Sequence, residues 1–274
     1  MEIRRLTGPL PPASPRVTGR LVSPFGTRQA VWAVPEETPL AILLNGTAFA
    51  VMMATPADLE DFALGFALTE GIVESLDQVE SLRIAEAADG FVLNLLVPPD
   101  RVEAVEERRR SLAGRAGCGL CGAQTIAAAL PKPRRVSGLP PTPHALFAAY
   151  RAFPAAQPMR ASNHSTHAAA YCTADGSVAL VREDIGRHNA LDKLAGALAR
   201  AGRDASGGFV LLSSRISVEM VQKAAAIRAP FLAAVSAPSA LALRVAAEAG
   251  MGLAGRAGDA MMIFDAARIR ESAA

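Results

Sequence analysis

Downstream of Trp32 the chain resolves into short apolar runs separated by turn residues. Residues 39–44 and 49–53 are two such runs joined by Asn45-Gly46, the dipeptide best suited to a two-residue hairpin, and they predict a pair of antiparallel strands. Thr55-Pro56 then predicts a helix start, with Thr55 as the cap and Pro56 at the first helical position. Phe62, Leu64, Phe66, Ala67 and Leu68 follow at near-helical spacing until Gly71. Asp58, Glu60 and Asp61 suit the positive end of that helix dipole and read as its solvated start. Residues 83–97 predict two more strands around Asp89-Gly90, and the charged stretch after Pro98-Pro99 predicts a helix.

The segment from Pro131 through Pro143 is too rich in proline for either element and marks a division of the chain. Beyond it strands and helices alternate. Strand 178–181 precedes a helix from about His188, strand 209–212 a helix from about Val218, and strand 231–235 a helix from near Ser239. Short strands over 251–253 and 261–264 flank Gly255-Arg256-Ala257-Gly258-Asp259. Such alternation predicts an α/β domain, a largely parallel sheet with helices packed on its faces. Residues 1–20 carry Pro9, Pro11, Pro12 and Pro15 without apolar periodicity and are expected to form a mobile arm. The expected organisation is an arm (1–20), a smaller N-terminal α+β region (21–130), a Pro-rich connector (131–145) and an α/β domain (146–274).

Composition narrows the function classes. A chain of 274 residues, 51% hydrophobic, can build a sizeable core. A net charge of +2 argues against nucleic acid as the default partner. No run of eighteen apolar residues occurs, and Met1-Glu2-Ile3-Arg4-Arg5 does not lead into an apolar signal core, so a cytoplasmic protein with no membrane association is expected. In that compartment thiols stay reduced, and a Cys-x-x-Cys pair reads as chemistry or metal binding.

Cys118-Gly119-Leu120-Cys121-Gly122 is such a pair. Arg108, Arg109, Arg110 and Arg115 precede it, and Ala123-Gln124-Thr125-Ile126-Ala127-Ala128-Ala129-Leu130 predicts a helix whose N-terminus lies near Cys121. Cationic neighbours and a helix N-terminus both favour thiolate over thiol, which makes a nucleophile. A structural zinc site would need a second Cys-x-x-Cys, which only another copy of the chain could supply. Packing cysteines belong in apolar runs, and no small βαβ unit of thioredoxin type clearly precedes the pair. No metal is expected. Cys172, by contrast, reads as buried filler.

Ligands of α/β sheets bind beyond the carboxyl ends of the strands. There the chain places Glu183-Asp184-Ile185-Gly186-Arg187-His188-Asn189, then Ser213-Ser214-Arg215-Ile216-Ser217, then Ser236-Ala237-Pro238-Ser239. Arginines, hydroxyls and helix N-termini on one rim suit phosphate oxygens, which nominates Arg187, His188, Ser214 and Ser236. His188 and Asp192 are four apart on one helix face, either as a structural pair or as groups near a ligand.

The block Glu183-Asp184-Ile185-Gly186-Arg187-His188-Asn189-Ala190-Leu191-Asp192-Lys193-Leu194, with Cys118-Gly119-Leu120-Cys121-Gly122 and Glu219-Met220-Val221-Gln222-Lys223-Ala224, closely resembles the formate dehydrogenase accessory sulfurtransferases, the FdhD family. The resemblance spans roughly Pro39 to Phe264. It implies a cytidine-deaminase-like three-layer fold with helices on both faces of the sheet, without that fold's zinc chemistry. It implies a sulfurtransferase, taking persulfide sulfur from a cysteine desulfurase and passing it to the bis-guanylyl molybdenum cofactor, Mo-bis(molybdopterin guanine dinucleotide), bound as substrate for insertion into formate dehydrogenase. Cys118 then falls on the persulfide carrier and Cys121 on the second cysteine of the motif. The cofactor-binding segment falls on Gly255, Arg256, Ala257, Gly258, Asp259 and Ala260, although the family usually has Phe where Gly255 stands and Arg where Ala257 stands. The family's Thr-Gly-Gly is Asn163-His164-Ser165 here, with His167 matching the histidine that follows it. A homodimer is also implied.

Two other classes stay open on the residues alone. One is a carrier that binds and delivers the cofactor without sulfur chemistry. The other is a zinc-dependent nucleotide deaminase, whose His-x-Glu and Pro-Cys-x-x-Cys elements are missing.

Overall fold

A computed structural model describes residues 1–112 and 132–264, with side chains up to residue 107 in the first of these segments. Cys118, Cys121 and the helix expected after them lie outside the described residues. The first sheet has five strands in the order β1-β6-β7-β4-β5: β1 Glu2–Leu6, β4 Thr38–Leu44, β5 Thr47–Ala54, β6 Ser81–Ala87 and β7 Gly90–Leu96. Asn45 and Gly46 take φ of 50° and 83°, the left-handed pair that joins β4 to β5. Helix α1 Leu59–Thr69 packs its apolar residues, Phe62 and Phe66 among them, over Leu40, Ile42, Leu82, Ile84 and Leu93 of this sheet. Helix α2 Pro99–Leu112 follows β7.

The expected arm over residues 1–20 is contradicted in part. Glu2–Leu6 forms β1, which pairs in parallel with β6 from Glu2↔Ser81 to Leu6↔Ala85, and Arg16–Ser23 forms β2, which pairs with β3 Gly26–Ala33 in a separate two-stranded ribbon. The prolines sit between β1 and β2, and the segment is held by ladder hydrogen bonds and by Ile3 and Leu10, which pack against the core of the first sheet.

The second sheet runs β13-β12-β11-β10-β8-β9, with β8 His167–Thr173, β9 Val178–Asp184, β10 Gly208–Leu212, β11 Phe231–Ala234, β12 Gly252–Ala257 and β13 Ala260–Ile263. Only β10, β11 and β12 are mutually parallel; β8, β9 and β13 pair antiparallel, so the sheet is mixed rather than largely parallel. Strand β8 accounts for much of the difference. Its Ala168-Ala169-Ala170 core carries little strand propensity, yet it is buried between β9 and β10.

One face of this sheet is covered by α5 Arg187–Arg200, α6 Val218–Ala226 and α7 Ala240–Ala249. The other is covered by α3 Pro143–Ala152 and the turn after it, through Leu146, Ala149, Tyr150 and Phe153. Helices on both faces make the three-layer α/β domain. A short helix α4, Pro158–Asn163, leads into β8.

The two halves meet where α1 crosses α5. A Cβ on Gly65 would collide with the backbone carbonyl of Asp192, and one on Gly196 with the carbonyl of Asp61, so both glycines admit backbone against backbone. Asp61 was expected at a solvated helix start, but it is buried there and binds Arg182 and Arg200. Thr55 does not cap α1 either. Its hydroxyl accepts the Ile185 N–H at 3.0 Å, its N–H donates to Asp184, and the helix instead begins after Asp58 in the left-handed region.

Candidate functional site

The acidic pair at the end of β9 divides its work between two clefts. Glu183 accepts the backbone N–H groups of Met159 at 2.9 Å and Arg160 at 2.8 Å, tying the N-terminus of α4 to the sheet. Asp184 accepts the N–H of Gly186 at 2.8 Å and the amide of Asn189 at 3.0 Å, fixing the entry to α5. Its other oxygen forms a fully buried ion pair with Lys193 at 2.6 Å, and Lys193 also donates to the Thr55 carbonyl at 3.0 Å. A buried charge is tolerated when paired and hydrogen-bonded, and here the pairing also joins the two halves.

The first cleft, about 600 Å³, opens between the halves. Its wall is Thr69, Glu70 and Gly71 at the end of α1, His188 and Asp192 on α5, Glu219, Gln222 and Lys223 on α6, and Lys132, Pro133 and Arg134 of the connector. Lys223 binds Asp192 at 2.8 Å, Glu70 at 2.7 Å and the Thr69 hydroxyl at 3.0 Å. Burial works against its ammonium, but Asp192 and Glu70 outweigh that and raise its pKa, so it stays charged. Asp192 is therefore the partner of Lys223, and His188 is left facing the cleft. Burial, then the charges of Arg187 and Lys223, push the His188 pKa down to about 4, which keeps the imidazole neutral at pH 7.

The second cleft lies at the carboxyl ends of the parallel strands. Ser213 follows β10, Val235 follows β11 and Arg256 lies near the end of β12; with Tyr150, Arg160 and His164 they line about 430 Å³. A contiguous hollow of about 360 Å³ shares Tyr150 and Arg256 and continues to Arg151, Asp259 and Ala260. The Tyr150 hydroxyl is held by the Ala234 carbonyl, and burial raises its pKa, so it stays protonated. His167 Nδ1 and Arg187 Nε are buried without a hydrogen-bond partner among the described residues. Burial, then Arg160 and Arg187, lower the His167 pKa and keep that ring neutral.

The nominated residues distribute unevenly over these surfaces. Arg256, Asp259 and Ala260 line the second cleft and its continuation. Ala257 pairs with Ala260 across the β12–β13 turn, with Gly258 at φ 64° between them. Gly255 is buried at the end of β12, where a Cβ would come 2.9 Å from the Ser236 carbonyl. His188 belongs to the first cleft, and Arg187 stands at the start of α5 next to His167. Ser214 is buried and its hydroxyl donates to the Arg215 carbonyl; Ser213 is the serine that lines the cleft. Ser236 is exposed and outside the lining of both clefts. Tyr150 and Arg160 were not among the nominated residues, because they precede the alternating strands and only α3, on the far face, and α4, which leads into β8, bring them to the strand ends.

This arrangement can hold anionic and planar groups together, since two arginines, a tyrosine and a hydroxyl surround a crevice at parallel strand ends. The profile of the FdhD/NarQ family matches residues 35–269. The chain belongs to the FdhD/NarQ family. It is 52% identical over 227 residues to the "Sulfur carrier protein FdhD" of Xanthomonas euvesicatoria pv. vesicatoria, covering 82% of this chain and 81% of that one. It is 49% identical over 244 residues to the protein of the same name from Cupriavidus necator, covering 88% and 84%. Its fold is also that of a Desulfotalea psychrophila protein described as a candidate formate dehydrogenase accessory protein, with a TM-score of 0.74 at 23% identity over 94% of this chain and all of the other. As an FdhD/NarQ chain it unites the clefts through one block, because Glu183 supports the second and His188 and Asp192 line the first.

Proposed function

We propose that the chain is a sulfur carrier serving formate dehydrogenase, and that it works as a sulfurtransferase. It accepts sulfur from a cysteine desulfurase as a persulfide on Cys118 and delivers it to Mo-bis(molybdopterin guanine dinucleotide), held as substrate. In the loading step the Cys118 thiolate attacks the outer sulfur of the donor persulfide, the S–S bond of the donor breaks, and the donor cysteine leaves as thiolate. The observation that carries the reading is the state of Cys172. It is fully buried and burial pushes its thiol up to about 12, so sulfur chemistry falls to the remaining two cysteines, Cys118 and Cys121.

The second cleft fits the guanine nucleotide arms of that substrate. Arg160 and Arg256 suit phosphate oxygens, Tyr150 offers an aromatic face, and His167, on which the charges of Arg160 and Arg187 act, has a buried Nδ1 without a partner among the described residues, as has Arg187 Nε. The first cleft has the connector residues Lys132–Arg134 in its wall, eleven positions after Cys121 in the chain, which supports a sulfur path between the halves. His188 offers that path a neutral imidazole able to take a proton near pH 7 only weakly, and Lys223 a fixed positive charge. In cells lacking their own FdhD, the wild-type chain is expected to restore formate dehydrogenase activity and Cys118→Ala is expected not to. Full restoration by Cys118→Ala would favour a carrier that binds and delivers the cofactor without sulfur transfer.

A further inference from the structure

The β2–β3 ribbon stands apart from both sheets and takes no part in either cleft. Its two eight-residue strands pair from Arg16↔Ala33 to Ser23↔Gly26 and extend about 27 Å at strand rise. All of residues 16–29 are exposed, with Phe25 at the tip 99% exposed and Val22 71%. A lone two-stranded ribbon is marginal in water, and this one presents large apolar side chains to it. From Arg16 to Ala33 the chain has three arginines, Arg16, Arg20 and Arg28, and no Asp or Glu.

The base of the ribbon is anchored at the second cleft. Trp32 packs with its ring tilted against that of His164, centroids 5.3 Å apart, and His164 lines that cleft; the Asn163 amide donates to Ser14 at 2.9 Å. The ribbon lies ahead of residue 35, where the match to the family profile begins. We infer that this ribbon is a docking arm for the protein that receives the cargo of the cleft, gripping a partner surface with an apolar pocket and an acidic rim.

The inference rests on the proposed function for the identity of that partner, formate dehydrogenase. Charge decides the chemistry of the rim, since a cationic ribbon free of carboxylates is complementary to acidic side chains and repelled by basic ones. The two-sided pattern decides between a protein and a lipid surface. Val17, Leu21 and Trp32 lie on one face and Val22 and Val31 on the other, whereas a ribbon lying on a bilayer would gather its apolar residues on one face. A protein pocket can cover both faces, and Phe25 at the tip is the natural anchor.

The test uses the full chain and purified cofactor-free formate dehydrogenase from the same genome, with affinity measured by titration calorimetry at two salt concentrations. Phe25→Ser and the double variant Arg20→Glu, Arg28→Glu alter only exposed side chains. Each is expected to weaken binding at least tenfold, with the wild-type affinity falling as salt rises, while sulfur loading by a desulfurase and nucleotide binding stay at the wild-type level. Equal affinity of the variants, or wild type that loads sulfur but does not bind the enzyme, overturns the inference. So does a loss confined to self-association in sedimentation, or to binding of phosphatidylglycerol vesicles. Wild type that loads no sulfur would instead remove the proposed function on which the partner's identity rests.

Discussion

Gly65 and Gly196 sit against one another where α1 crosses α5, so closely that a Cβ on Gly65 would come 2.6 Å from the Gly196 nitrogen. The crossing joins the N-terminal sheet to the three-layer domain and sets the width of the first cleft, because Thr69, Glu70 and His188 are carried on these two helices. Gly65→Ala must push the helices apart, since the colliding atoms are backbone. It is expected to destabilise the chain by roughly 1 to 3 kcal/mol in urea unfolding, whereas Gly→Ala at an exposed helix position would stabilise it.

The buried pair Asp184–Lys193 gives a second expectation. Lys193→Met leaves the Asp184 carboxylate in a fully buried site without its cation, a loss of about 3 to 5 kcal/mol. Adding Asp184→Asn to that variant removes the uncompensated charge, and a double-mutant cycle should show recovery of part of the loss.

The fate of these residues shows how far the chain could be read in advance. Runs such as residues 39–44 and 209–212 are apolar enough to declare strands, and Asn45-Gly46 declares its turn, because those signals are local. Thr55 and Asp61 carry local signals too, for a cap and a solvated helix start, but each meets a partner more than a hundred residues away, and tertiary contacts outweigh the local preference. Strand β8 is read poorly for the same reason: three alanines become a central strand only between β9 and β10. At the site, His188 announces itself by its position after a strand, and Arg256 by the family resemblance. Tyr150 and Arg160 reach the second cleft through α3 and α4, which no spacing in the sequence displays.

The depressed pKa of His188 sets a pH dependence. Its folded value of about 4 lies below the ordinary 6.5, so between these values the unfolded chain binds more protons than the folded one. The imidazole therefore costs stability as pH falls below about 6.5, and the cost levels off below about 4. Across pH 8 to 4, the melting temperature of wild type should fall relative to that of His188→Gln below about pH 6.5, with the variant showing the weaker pH dependence.

Arg160 and Arg256 are expected to hold nucleotide phosphate in the second cleft. Arg256→Ala and Arg160→Gln should each weaken GDP binding about tenfold, the scale of one charge-assisted hydrogen bond. Ser236→Ala, outside the cleft lining, should leave the affinity within about twofold, and calorimetric titration separates the cases.

The central claim is sulfur carriage on Cys118, and intact-protein mass spectrometry after incubation with a cysteine desulfurase and cysteine tests it most directly. Wild type and Cys121→Ala are expected to gain about one sulfur mass, lost on reduction, and Cys118→Ala to gain none. No gain in wild type with a competent desulfurase, or an undiminished gain in Cys118→Ala, would contradict it.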